Sequence, residues 1–210
     1  MPLSNLDEIA RAIANGLNCE HSAFCLQLLQ LLANGQPVPP EQLATTLNIS
    51  RDQVNTILRQ LSDIEYDREG NIVASGLSLI PTSHHFHLNG HALYIWCALD
   101  ALSYPYILQQ PAHVESPCPV TGTKISLNIT PEDIQSLKPA STVVSFVIPE
   151  PARSCCNIRG TFCYYIQFFS SPEATTMWRS KHQEAIILPV DDAYKVARMV
   201  AKYRYGETLG

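Results

Sequence analysis

The chain has few basic residues and lacks the motifs of several large enzyme classes. Lys and Arg number 14 of 210 residues, against 19 Asp and Glu, and neither Lys nor Arg occurs between Arg68 and Lys124. Nucleic acids and anionic membranes are bound through clustered positive charge, so this composition argues against both as partners. A Gly-rich phosphate loop, Cys-x-x-Cys, His-Glu-x-x-His and Gly-x-Ser-x-Gly are also missing. Nucleotide hydrolysis, zinc proteolysis and serine hydrolysis therefore have no sequence signal here.

Long hydrophobic runs and a secretory signal are also missing. Polar residues interrupt every apolar stretch, and the first eight residues contain no basic segment. The cysteines are odd in number and lack the even spacing of a secreted disulfide framework. We therefore expect a cytoplasmic protein whose cysteines are thiols, used for packing, soft-metal binding or nucleophilic catalysis. The seven are Cys19, Cys25, Cys97, Cys118, Cys155, Cys156 and Cys163.

The first part of the chain has the pattern of a winged helix. Apolar residues at helical spacing predict two helices within residues 5–33, a third within 39–50 and a fourth over 51–61, which Ser50 caps. A hairpin with its turn near Gly70 and an alternating segment at 85–88 follow. This order predicts a winged-helix-like domain over residues 1–88. From Glu41 to Tyr66 there are two basic and four acidic residues, so we expect a scaffold that does not bind DNA.

The second part, residues 89–210, is predicted to be the catalytic domain. The nearly apolar segment His91–Leu102 predicts one buried helix that ends near Pro105. Alternating segments at 113–116, 124–130, 142–148 and 161–169 predict short strands, and helices are expected at 171–182 and 191–205, the last capped by Asp191 or Asp192. The predicted fold class is α+β: a winged-helix-like helical unit packed on a small mixed or antiparallel β-sheet domain with flanking helices.

Cys97 and Asp100 are the most informative pair in this domain. Their spacing places a thiol and a carboxyl on one face of the predicted helix. A carboxyl beside a thiol can accept its proton and deliver it elsewhere, and burial would raise the carboxyl pKa toward that use. Cys97 could instead be an inert packing residue, as most buried cysteines are. The absence of a neighbouring cation in the sequence makes a buried acid costly and favours a functional role for it.

The remaining cysteines are less specific. Cys163 is predicted to lie mid-strand, on the face opposite Phe162 and Tyr164, where packing and function are equally compatible with the pattern. Cys118 lies in a Pro-rich turn and is predicted to be structural. The adjacent pair Cys155-Cys156 belongs to the predicted loop 149–160, as spectators, redox-sensitive thiols or auxiliary metal ligands. The two N-terminal cysteines are expected to pack within helices.

Four ordered motifs together resemble the organomercurial (alkylmercury) lyase family. They are Leu93-Tyr-Ile-Trp-Cys97-Ala-Leu-Asp100, Cys118-x-x-Thr-Gly122, Phe162-Cys163-x-x-x-x-Phe168-Phe169-Ser170 and Trp178-x-x-Lys-His182. The similarity covers nearly the whole chain, including the degenerate winged helix. The sequence departs from the family pattern at Tyr164, where a second cysteine is expected, and in its additional Cys155-Cys156 pair.

The resemblance implies protonolytic cleavage of the carbon–mercury bond of alkyl- and arylmercury compounds, giving a hydrocarbon and Hg(II). It implies that Cys97 and Cys163 are the catalytic thiols and mercury ligands, that Asp100 is the catalytic carboxyl beside the metal, and that Cys118 is structural. Thiolates suit this substrate because mercury is a soft ion. No cofactor is expected, apart from small cellular thiols such as glutathione or cysteine that release the product. A transient hand-off of Hg(II) to a mercuric reductase is a further expectation, and neither nucleic acid nor membrane is an expected partner.

Two readings from other classes stay open. A winged-helix transcriptional regulator could sense a soft metal through the same cysteines. A non-catalytic metal carrier, or a zinc-stabilised fold, could use Cys118, Cys155, Cys156 and Cys163. Salt-sensitive DNA binding would support the first reading, and tightly bound zinc would support the second.

Overall fold

The computed structural model of the protein describes residues 5–17, 21–61, 63–149 and 157–206. The N-terminal elements are α1 (Leu6–Gly16), α2 (Ser22–Leu32), α3 (Pro40–Leu47), α4 (Arg51–Gln60), β1 (Glu65–Tyr66), β2 (Ile72–Ser75), β3 (Leu77–Ser78) and β4 (His84–Leu88). They are followed by β5 (His91–Ile95), α5 (Ala98–Leu108), β6 (Ala112–Pro117), β7 (Lys124–Ile129), β8 (Ile134–Lys138) and β9 (Val143–Phe146). The last elements are α6 (Ile158–Thr161), a 3-10 turn (Cys163–Tyr165), β10 (Phe168–Phe169), a second 3-10 turn (Glu173–Thr175), α7 (Thr176–Arg179), β11 (Ile186–Pro189) and α8 (Val190–Tyr205). The α+β class predicted from the sequence is confirmed.

The N-terminal helices begin and end where the sequence signals predict. Ser50 caps α4 by accepting the backbone N–H of Gln53, whose side chain accepts the Ser50 N–H in return. This reciprocal pair satisfies two of the donors that a helix N-terminus leaves unpaired. At α1 the Asn5 side chain accepts the Glu8 N–H in the same way, 2.8 Å away. Among the described residues, no helix has both the length and the apolar character needed to cross a lipid bilayer.

The strands form two antiparallel sheets. One has eight strands in the order β1-β2-β3-β5-β4-β6-β7-β8, and the other has three in the order β10-β9-β11. The large sheet contains both the predicted wing and strands β5 to β8 of the second part. The predicted domain boundary between residues 88 and 89 falls within a β-hairpin, because β4 and β5 pair along their length, with Leu88 opposite His91. The division into domains 1–88 and 89–210 stays a prediction.

The single helix predicted over His91–Leu102 is wrong. Residues 91–95 form β5, which turns back on β4 through Asn89 and Gly90, both with positive φ. Such a two-residue turn matches the twist of a β-hairpin, and an Asn-Gly pair is its strongest sequence signal. The helix begins only at Ala98 and continues through Pro105 to Leu108. Short apolar runs do not distinguish strand from helix, which explains the error.

Two further predictions near the C-terminus are wrong. The strand predicted over 161–169 is a strand only at Phe168–Phe169, and Cys163 lies in a 3-10 turn. Burial there does not alternate, since Phe162 and Cys163 are both buried, as are Phe168 and Phe169. In α8 the residue at the N-cap is Pro189, so neither Asp191 nor Asp192 caps the helix. Both acids lie in its first turn, where the helix dipole favours negative charge.

Helix α8 connects the beginning of the chain to α5. It packs against α1 on one side and α5 on the other. Most of its apolar residues are fully or almost fully buried, including Val196, Ala197 and Val200. Near its end, Tyr203 hydrogen-bonds Asp7 of α1, and Arg11 lies over the Tyr203 ring at 4.5 Å. The C-terminal helix therefore fixes α5 relative to the N-terminal unit.

His84 should make the fold sensitive to mild acid. Its side chain is 3% exposed, with Nδ1 2.8 Å from Ser116 Oγ. Burial, with a smaller contribution from His85, lowers the pKa of His84 from 6.5 to about 4. The unfolded chain therefore takes up a proton as pH falls from 6.5 toward 4 while the folded chain does not, so stability falls. The loss should approach about 3 kcal/mol at pH 4.

Urea denaturation at pH 7.5, 6.0 and 5.0 measures this loss. His84→Gln keeps a polar group beside Ser116 but cannot titrate, so its stability should fall less between these pH values. Equal pH dependence of the two proteins would contradict the assignment to His84.

Candidate active site

Cys97 and Asp100 form the N-terminus of α5. Strand β5 ends two residues earlier, and Cys97 keeps an extended backbone as the N-cap (φ −157°, ψ 174°). Asp100, at the third helical position, accepts the Cys97 backbone N–H at Oδ2 over 3.1 Å. The Cys97 thiol donates to the same oxygen over 3.3 Å. The predicted juxtaposition of thiol and carboxyl is therefore present, although it comes from helix capping and not from the face of a longer helix.

Cys163 reaches this pair from a separate segment. The short helix α6 precedes it and is attached to the N-terminal unit: the Ile158 N–H donates to Asp63 Oδ2 over 3.1 Å, and Arg159 pairs with Glu65. The next turn places the Cys163 side chain, 3% exposed, against Cys97 and Asp100.

The two sulfurs and a carboxylate oxygen of Asp100 lie within 4.8 Å of one another. In the described part of the chain, no other group of three or more His, Cys, Asp or Glu side chains brings its ligand atoms so close together. The structure thus assembles the three residues that the sequence singled out.

The surroundings of Cys97, Asp100 and Cys163 favour the protonated form of each side chain. Burial raises the pKa of Cys97 well above its ordinary value, and its hydrogen bond to Cys163 and the charge of Asp100 act in the same direction. For Cys163, the hydrogen bond with Cys97 lowers the pKa, but burial and the charges of Asp100 and Asp63 outweigh it, so the net shift is upward. Burial also raises the pKa of Asp100. Two thiols and an acid of raised pKa form a site that can hold and transfer protons.

Asp100 has more stabilising neighbours than the sequence suggested. The Tyr104 hydroxyl hydrogen-bonds its carboxyl, and the guanidinium of Arg204 on α8 contributes an attractive charge; both lower the pKa against the effect of burial. The prediction that no cation acts on this acid is therefore wrong, although none is near it in the sequence. Arg204 has no sequence signal that connects it to Asp100, because 104 positions separate the two residues.

A cavity of about 550 Å³ opens onto Asp100 and Cys163. The N-terminal unit contributes Leu17, Cys25 and Leu29 to its lining. Apolar residues of the second part form much of the rest. These include Trp96, Leu99, Ile107, Ile158, Phe162 and Val200. Trp96 and Phe162 are the aromatic residues closest in sequence to Cys97 and Cys163 that line the cavity. Tyr94 packs instead against His85, and Phe168 is fully buried.

Cys118 is not part of the group of three. It is 1% exposed and lies in the turn after β6. Burial raises its pKa, but hydrogen bonds from Thr121 and from the backbone of Ser170 and Val120 outweigh this effect, and the net result is a pKa of about 7. These bonds connect the turn to the strand that ends at Phe169, which agrees with a structural position. Cys19, Cys155 and Cys156 lie outside the described residues.

Comparison with known proteins decides the family. A family model described as alkylmercury lyase matches residues 77–202. A second, described as the helix-turn-helix domain of alkylmercury lyase, matches residues 7–76. The chain belongs to the alkylmercury lyase family.

Individual alkylmercury lyases match over most of their length. The protein of that name from Streptomyces lividans is 47% identical over 171 residues, which cover 81% of this chain and 78% of that protein. The one from Pseudomonas putida is 37% identical over 195 residues, covering 92% and 91%. The crystal structure of the mercury-bound form of MerB2 superposes with a TM-score of 0.78 at 25% identity, covering 94% of this chain and 98% of that one.

The raised thiol pKa values predict an unusual pH profile of alkylation in this lyase-family protein. Because Cys97 stays protonated at pH values where a free thiol ionises, its alkylation rate by iodoacetamide should still rise tenfold per pH unit near pH 9. The cysteine of an unstructured model peptide, with a pKa of about 8.5, should approach its maximum rate there. Mass spectrometry of the individual cysteine peptides measures both.

Asp100→Asn provides the control for this experiment. It removes a negative charge beside both thiols, so the alkylation profiles of Cys97 and Cys163 should move to lower pH. A Cys97 profile that levels off below pH 9 in the original protein would contradict the assignment.

Proposed function

We propose that this protein cleaves the carbon–mercury bond of alkyl- and arylmercury ions by protonolysis, releasing a hydrocarbon and Hg(II). One observation carries the proposal: two thiols and a carboxyl, from distant segments, meet within 4.8 Å beside a cavity lined mainly by apolar residues. Membership of the alkylmercury lyase family supports the same reaction.

The thiols bind the metal. Mercury is a soft ion, and thiolate is the side-chain ligand that best competes for it against water, carboxylate and imidazole. With metal–sulfur bonds of about 2.3 Å, as in zinc sites, two sulfurs on one ion are separated by at most about 4.6 Å. The sulfurs of Cys97 and Cys163 lie within 4.8 Å of each other, so they exceed that limit by about 0.2 Å at most. Both can therefore bind one mercury ion with little rearrangement.

Asp100 moves the protons. Cys97 transfers its proton to Oδ2 of Asp100, to which it already donates, and its sulfur binds the organomercury cation. Cys163 then adds as the second ligand, which pushes electron density onto the carbon. The protonated carboxyl delivers its proton to that carbon as the carbon–mercury bond breaks, and Asp100 accepts the proton that Cys163 gives up. One thiol proton ends in the hydrocarbon, the other stays on Asp100, and Hg(II) remains bound by two thiolates.

The cavity accommodates the organic group. It opens onto Asp100 and Cys163, so a substituent on mercury can extend into it while the metal meets the sulfurs. Its apolar walls favour alkyl and aryl groups by the hydrophobic effect. Apart from thiols that remove the product, the proposed reaction uses no cofactor, because coordination and proton transfer are both supplied by side chains. Small cellular thiols then extract Hg(II), and transfer to a mercuric reductase stays a prediction.

Hydrocarbon release tests the proposal. With methylmercury and excess small thiol, we expect methane in the headspace by gas chromatography and, in deuterated water, methane carrying one deuterium. Cys97→Ala and Cys163→Ala should abolish turnover, because each removes a mercury ligand. Asp100→Asn should still bind the mercurial but lose at least about 100-fold in rate, the usual contribution of a general acid.

A double variant, Cys155→Ser with Cys156→Ser, is the matched control, since the proposal gives these thiols no role. It should retain activity. Turnover by Asp100→Asn at the original rate would reject the proton transfer described above, and absence of methane from the unmodified protein would reject the function itself.

DNA binding tests the regulator alternative. Residues 15–17, 21, 25 and 29 of the N-terminal unit line the cavity, which favours a structural use of the helix-turn-helix. We expect no salt-sensitive, metal-responsive shift of genomic fragments in a gel. A specific shift would support the regulator in place of the scaffold.

A further inference from the structure

The carboxyl of Asp100 is held from two sides. Its Oδ2 accepts the backbone N–H and the thiol of Cys97. The hydroxyl of Tyr104, one helical turn further along α5, is within reach of the same carboxyl and lowers its pKa, and both groups lie beside Gly76. The Tyr104 side chain is buried, with its ring edge-on to Phe86 at 6.3 Å. The ring is therefore fixed by packing, and its hydroxyl is aimed at the acid.

Gly76 provides the space for this hydroxyl. It lies between β2 and β3 with φ +79°, a conformation that residues with a side chain rarely adopt. A Cβ atom at this position would lie 2.1 Å from the Tyr104 hydroxyl oxygen and 3.7 Å from Asp100 Oδ1. The Gly76 carbonyl also accepts the Trp96 backbone N–H over 3.1 Å, which ties it to the residue before Cys97. The β2–β3 connection of the predicted wing thus passes close to the Asp100 carboxyl, and Gly76 places no side chain between them.

We propose that Tyr104 is a positioning residue for proton transfer, that its hydroxyl holds the Asp100 carboxyl with Oδ2 toward Cys97, and that Gly76 is required because any side chain there would displace this hydroxyl. The inference rests on the proposed lyase reaction. The terminal torsion of an Asp side chain is broad, so a carboxyl without this anchor samples orientations in which neither oxygen faces the thiol. Proton transfer needs hydrogen-bond reach, and a misplacement of about 1 Å costs on the order of 100-fold in rate.

The first test is Tyr104→Phe, which keeps the ring and its packing against Phe86. We expect kcat for methane release, and the rate constant measured in a single turnover, both to fall by about tenfold to 100-fold, with KM and mercurial stoichiometry unchanged. A single turnover separates bond cleavage from product release. Tyr106→Phe, on the same helix but beside Arg198, is the matched control and should keep the original rate. A kcat for Tyr104→Phe within twofold of the original would overturn the proposal, as would a loss confined to KM.

An infrared difference spectrum gives a readout that does not depend on turnover. The carboxyl band of Asp100 is the band lost in Asp100→Asn, and removal of the Tyr104 hydroxyl should shift it because one hydrogen bond disappears. An unmoved band would overturn the proposed anchor. If the unmodified protein releases no methane, the lyase function fails, while the band still reports on the anchor.

The role of Gly76 is tested by a double-mutant cycle. Gly76→Ala should lower kcat by displacing the hydroxyl, and in a Tyr104→Phe background it should have little further effect, since the nearest ring atom, Cζ, is 3.4 Å from the new Cβ. Independent, additive losses would reject the link between the two residues. Where Gly76→Ala does not fold, Tyr104→Phe and its infrared band decide the proposal alone.

Discussion

Enclosing the carboxyl of Asp100 is the constraint on which the rest of the site depends. Asp100 is half-buried, with its remaining exposure toward the cavity, and taking an acid even partly out of water is costly. Its compensation comes from the Cys97 N–H, the Tyr104 hydroxyl, the charge of Arg204 and the positive end of the α5 dipole. Burial outweighs these contributions, so the pKa of Asp100 stays above its ordinary value. The result is an acid placed to exchange a proton with the Cys97 thiol, as the proposed reaction requires.

The fold brings these partners together from distant segments. Strand β5 delivers Cys97 to the start of α5, the β2–β3 connection supplies Gly76, and α8 brings Arg204 from the far end of the chain. A helix-turn-helix arrangement that elsewhere meets DNA here lines a cavity. This use agrees with the shortage of basic residues between Glu41 and Tyr66.

The sequence allowed prediction of the fold class, the helices with clear caps and the pairing of Cys97 with Asp100, while Cys163 was assigned to them only through the family resemblance. Ser50 and Gln53 are local signals, and so is the pairing of Cys97 with Asp100, because each depends on neighbours within one helical turn. Prediction failed where tertiary contacts decide the conformation. The strand β5 depends on pairing with β4, and the turn that carries Cys163 depends on attachment to Asp63 and Glu65. Arg204 and Gly76 have no local pattern that assigns them to Asp100.

The attachment of α6 to Asp63 and Glu65 has a consequence for modularity. Two family models divide the chain at residues 76 and 77, and all three clustered residues lie on the C-terminal side of that division. A fragment trimmed there would keep both sulfurs and the acid, yet lose the anchors of the second thiol, the glycine beneath the tyrosine and one wall of the cavity. The two matched regions are separate in the sequence but share contacts around the site in the structure. The C-terminal region alone would therefore not form the complete site.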